Sequence, residues 1–172
     1  MTEELPDSAR EAFEAHEKIA ATAEGYAIET TVFDGFVRAS EGPDWKHTYT
    51  VTVFVPTLSA ATAEAVGPAV EDGWRDTLER RLEDAPQSTR SNVDLHALDV
   101  EETDDELQIT FTFEWGDADR AADIAKTFVE YVEGTYVEGI VPGYEYVPPV
   151  ADLLSNASQG DDSSATRGGT PL

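Results

Sequence analysis

The sequence predicts an α+β two-layer sandwich: a four-stranded antiparallel sheet with helices packed on one face. Three observations carry this. Two segments, 47–55 and 107–115, alternate apolar and polar residues with period 2, the signature of a half-buried strand. Each is followed by a stretch whose apolar residues recur at helical spacing. Turn-forming residues separate the segments, so neighbouring strands can pair as hairpins and leave one face for the helices.

Taken in order, Pro6 and the S-x-x-E pattern Ser8-Ala9-Arg10-Glu11 signal a helix start of the capping-box type. Phe13, His16, Ile19 and Ala20 then share one helical face up to Gly25. Tyr26 to about Val37 reads as extended, interrupted at Asp34-Gly35, which fits either a two-residue hairpin turn or a bulge. Glu41-Gly42-Pro43-Asp44 is a clearer turn. Beyond it Tyr49, Val51, Val53 and Val55 alternate with Thr48, Thr50, Thr52 and Phe54. A helix follows over about 60–83, kinked or restarted at Gly67-Pro68, with Val66, Val70, Trp74, Leu78 and Leu82 as its apolar stripe.

The pattern then recurs. Asn92 to Val100 reads as a strand, Glu101 to Asp105 as a hairpin loop, and Leu107, Ile109, Phe111, Phe113 and Trp115 as the inward side of a second alternating strand. Asp117 is placed to cap a helix through about Tyr136, with Ala121, Ile124, Phe128 and Val132 facing inward. Val51–Val55 aligns with Ile109–Phe113, so a duplicated ββα unit over 26–85 and 92–140 is one reading; chance similarity of two amphipathic strands is the other. Residues 1–150 form the expected single domain. Val141 to Val150 is too rich in proline for a central strand and too aromatic for a free linker, so it should drape over the domain. Residues 151–172, polar and nearly free of apolar side chains after Leu154, are expected to be a disordered tail.

Composition bounds the function. The chain has 36 Asp+Glu against 11 Lys+Arg, a net charge of −25, and no cysteine. Leu, Ile, Val and Phe make up 37 of 172 residues, so a core is possible but thin. Phosphate-backbone binding needs clustered cations; here they are scattered, so nucleic-acid binding is not expected. There is no apolar run of membrane-spanning length, and MTEELPDS lacks the basic and apolar regions of a secretory address. A cytoplasmic setting follows as an expectation. Thiol chemistry and Cys-ligated zinc are excluded. The carboxylates run from Glu3 to Asp162 rather than in blocks, and the cations are eight Arg and three Lys. Such a surface repels itself until salt shortens the Debye length, which points to a high-salt solvent.

Catalytic motifs are missing. His16, His47 and His96 show no H-x-x-H or H-E-x-x-H spacing, so no metal site is expected. No G-x-S-x-G elbow or Gly-rich phosphate loop occurs, so no cofactor is implied. The acidic run Glu101–Glu106 lacks the glycine and ligand spacing of a calcium loop. What remains is the Thr-rich face of the sheet. Thr50, Thr52, Thr110 and Thr112, with His96 nearby, form the candidate binding face, and Trp45, Trp115, Tyr144 and Tyr146 form an aromatic group. The expectation is therefore a non-catalytic interaction or scaffold module, a homo-oligomer or a binder of another protein. The alternative is a small-molecule binder or enzyme using the Thr face with His96 and Asp94 as a base and its orienter. An acidic decoy for DNA-binding proteins is a third and weaker reading.

The segments TVTVFVPTL, GWRDTLERRLED and ITFTFEWG resemble a family of small acidic haloarchaeal proteins of unknown function. The resemblance covers most of residues 1–150. It implies a salt-adapted protein and carries no activity.

Overall fold

The computed structural model describes residues 5–157. The α+β class stands, but the sheet has six strands rather than four. Its order is β1-β2-β3-β4-β6-β5 and every neighbouring pair is antiparallel. The strands are β1 (Ile19–Thr22), β2 (Gly25–Ile28), β3 (Asp34–Glu41), β4 (His47–Pro56), β5 (Ala97–Thr103) and β6 (Glu106–Trp115).

The two extra strands lie where a longer first helix and an extended stretch, Tyr26 to about Val37 interrupted at Asp34-Gly35, were expected. Helix α1 (Asp7–Ala15) stops at His16, and Ile19 then enters β1 instead of continuing the helical face. Ser8 lies inside the helix, not at its cap; Pro6 holds that position. Asp34-Gly35 is neither hairpin turn nor bulge but the beginning of β3, and the chain bends before it, over 29–33. Glycine is required at 35 for another reason. A Cβ there would lie 2.5 Å from Val129 Cγ1, so a bare backbone lets the longest helix come down onto the sheet.

The centre of the sheet follows the alternation. On β4, Tyr49, Val51, Val53 and Val55 are fully buried, and on β6 so are Leu107, Ile109, Phe111 and Phe113. Register pairs them across the strands, Val51 with Phe111 and Val53 with Ile109. Thus β4 and β6, the two segments that look alike in sequence, stand side by side. The hairpin between β5 and β6 is tighter than expected, with Asp104-Asp105 as its two loop residues and Asp104 at φ 52°.

The helices all pack on the apolar side. The expected helix over 60–83 is two, α2 (Leu58–Ala61) and α3 (Pro68–Leu82), because Gly67 is the N-cap and Pro68 the first helical residue, a position that needs no N–H donor. Trp74, Leu78 and Leu82 are buried; Val70, expected on the same stripe, is 39% exposed. The carboxylate of Glu71 on α3 accepts hydrogen bonds from the N–H groups of Leu58 (3.0 Å) and Ser59 (2.8 Å), tying α2 down from outside.

Helix α4 (Ala118–Glu138) lies across the sheet, capped as expected by Asp117, whose carboxylate accepts the N–H of Asp119 at 3.0 Å. Phe128 meets Phe111 and Phe113 at ring-centre distances of 5.0 and 5.5 Å. Its Glu133 accepts the N–H groups of Val32 (2.7 Å) and Phe33 (3.0 Å), holding the 29–33 bend. The C-terminal segment drapes as expected: Tyr146 bridges to Thr62, and Val147 N–H donates to Ala61 O. Residues 150–157, most of which were expected to belong to the tail, are helical, and Val150 and Leu153 are buried. The remainder of the expected tail, 158–172, lies outside the described residues.

Candidate functional site

With the helices on one side, the residues between the core positions of β3, β4, β6 and β5 form a face that no described element covers. Its rows follow from the register. Arg38, Thr50, Thr112 and Ala97 lie across one row; Phe36, Thr52, Thr110 and Asp99 across the next; Asp34, Phe54, Gln108 and Glu101 across a third. Thr50, Thr52, Thr110 and Thr112 are therefore brought together at the centre, each partly buried by its neighbours. Phe36 and Phe54 meet edge to face beside them, with ring centres 6.3 Å apart. This arrangement suits contact with another surface. It combines a short-side-chain centre, one aromatic pair, one cation on the β3 flank and carboxylates on the β5 flank.

His96 lies off the strands that carry these rows. It precedes β5, anchored by its own N–H donating to Thr112 O at 2.7 Å. It lines a concavity of about 260 Å³ at the Glu114 end of the face, with Lys46, Asn92, Asp94, Leu95, Glu114 and Trp115. That hollow is open and mostly polar. His96 makes no hydrogen bond with Asp94 among the described residues, so a base with its orienter is not assembled. Trp45 lies in the β3–β4 turn with 73% of its surface exposed, its ring against the bare backbone of Gly116. Tyr146 donates its hydroxyl to Val141 O and belongs to the docked arm.

The other histidines are held by defined partners. His16 Nδ1 accepts the N–H of Lys18 at 3.1 Å, which leaves Nε2 to donate to Asp123 Oδ1 at 2.8 Å. His47 Nε2 lies 2.9 Å from Ser8 Oγ. His47 Nδ1 and the hydroxyl of Tyr49 are buried without a partner among the described residues. Removal from water, with the charges of Asp117 and Asp119 in support, pushes the Tyr49 hydroxyl up to about 12. Sequence reading missed the Ser8–His47 pair. The capping pattern explained Ser8 locally, and 39 residues separate the partners.

No group of three or more His, Cys, Asp or Glu suited to a metal ion occurs among the described residues, and no helix there is long and apolar enough to cross a membrane.

These features define a class: an α+β domain whose sheet is clad by helices on one side and open on the other. A family model described as a family of unknown function (DUF5813) matches residues 9–156, and the chain belongs to that family. A search of curated proteins found no match. A search of solved structures found none either.

Proposed function

We propose that the domain is an interaction module that pairs with a second copy of itself through the open face of its sheet. One observation carries the reading: the centre of the face, four threonines in two rows, can meet its own copy. A two-fold axis between β4 and β6, parallel to the strands, lays the threonines of one copy over those of the other. It also sets β3 against the second copy's β5. Arg38 then stands over the row of Ala97, with the second copy's Asp99 next along the strand, while Asp34 faces the second copy's Glu101, a like-charge contact that salt must screen. Face-to-face sheets pack about 10 Å apart, a spacing that short threonine side chains can fill from both sides.

The charge sets the condition. Two chains each carrying −25 repel, and molar salt reduces the Debye length to about 3 Å. A salt-rich cytoplasm is the setting that fits both the composition and this mode of pairing. Light scattering on the full chain in molar KCl should give twice the monomer mass. T52R and F54D should return it to the monomer with an unchanged circular dichroism spectrum. A monomer at every concentration and salt overturns the reading. So does a monomer that pairs only after residues 158–172 are removed, an outcome that gives the face to the chain's own C-terminal segment.

A further inference from the structure

On the helix-covered side of β4, away from the open face, Ser8 and His47 form a nucleophile–base pair. We propose that Ser8, activated by His47, takes the acyl group of small uncharged esters and releases it to water. Three features place the parts. Ser8 Oγ lies 2.9 Å from His47 Nε2, within the reach of proton transfer. Ser8 is exposed in the first turn of α1, where no side chain caps the helix and the intrahelical ladder begins only with Arg10 N–H on Pro6 O. The N–H groups of Ser8 and Ala9 precede that ladder, so donors and the positive end of the helix dipole lie beside Oγ, where an oxyanion would form. Finally, the imidazole packs edge to face on the ring of Tyr49, with centres 6.2 Å apart, and that tyrosine is fully buried and stacked on Phe113 at 5.4 Å.

With its proton on Nδ1, the imidazole turns the Nε2 lone pair toward Ser8 Oγ, the arrangement a general base needs. In the first step Oγ bonds to the acyl carbon as its proton passes to Nε2. The carbonyl re-forms, the C–O bond to the leaving alcohol breaks, and Nε2 gives that alcohol the proton. Water then attacks the acyl carbon, its proton passes to Nε2, and Ser8 Oγ departs and recovers it. An uncharged ester is specified because Asp7 and Glu11, both exposed, flank Ser8 at the same helix end and disfavour an anionic substrate at contact distance, where salt screens least.

The test uses the full chain in molar KCl with two probes, an alkyl fluorophosphonate and p-nitrophenyl acetate. One phosphonyl adduct, with loss of fluoride, should map to Ser8, and nitrophenol release should exceed that of buffer. S8A should abolish both. H47Q and H47F should each slow labelling by about a hundredfold or more without changing the circular dichroism spectrum. No adduct, an adduct on another residue, or labelling of the histidine variants at the parent rate overturns the proposal. None of these outcomes bears on pairing through the sheet.

Discussion

The two faces of the sheet are built from alternate residues of the same strands, yet they do different work. On the covered face, β4 and β6 contribute eight side chains, from Tyr49 to Phe113, all with zero exposure. On the open face, Thr48, Thr50, Thr52, Phe54, Gln108, Thr110, Thr112 and Glu114 remain partly accessible. Adjacent residues thus differ in what they are for. One set holds helices to the sheet; the other has no described element over it.

The sharpest way to break this contrast is to truncate a covered residue. Phe111→Ala removes a ring packed on Phe128, and a loss of about 3–5 kcal/mol is expected, read from denaturant unfolding at fixed salt. Gly35→Ala strikes the same face from the backbone side. Its new Cβ meets Val129, so about 1–3 kcal/mol should be lost. Adding Val129→Ala should recover part of that, making the double variant more stable than the sum of the single losses implies.

Alkali offers a subtler probe of the covered face. The Tyr49 hydroxyl is raised from 10.0 to about 12, chiefly by burial. A folded value above the unfolded one means that this contribution to stability is whole below pH 10 and is lost as pH rises toward 12. Tyr136, fully buried with its hydroxyl donating to Pro56 O at 3.0 Å, is raised as well and acts in the same direction. Absorbance at 295 nm should therefore show these two tyrosines ionising together with unfolding, after the exposed ones. The smallest effect belongs to the open face. Thr112→Val, one residue from Phe111, should change stability by no more than about 0.5 kcal/mol. A loss as large as that of Phe111→Ala would mean that the face is not open.

The same contrast explains what could be read from the sequence. Strands β4 and β6 announce themselves because ten residues each, alternating without a break, leave one choice of face. Strands β1 and β2 are four residues each, and Ile19 and Ala20 fit a helical spacing with Phe13 and His16 as well as they fit a strand. The spacing alone does not decide between them; pairing with β2 does. Gly35 resembles turn chemistry until Val129 is seen above it. The Thr-rich face was legible because parity alone assigns it. The start of β5 was set too early because residues 92–96 carry strand-like alternation, whereas the strand begins at Ala97. Ser8 and His47 could not be paired at all, since contacts between distant segments leave no periodic trace in either.

The sheet also has two borders. One is β1, only four residues long. The other is β5, whose Asp99, Glu101 and Glu102 are exposed. A short edge and a charged edge are both poor templates for adding a strand from another molecule. Growth sideways, sheet after sheet, is thus discouraged at each end. The pairing proposed for the broad face would be used up once two copies met, so assembly by that route would close on itself instead of running on into a filament.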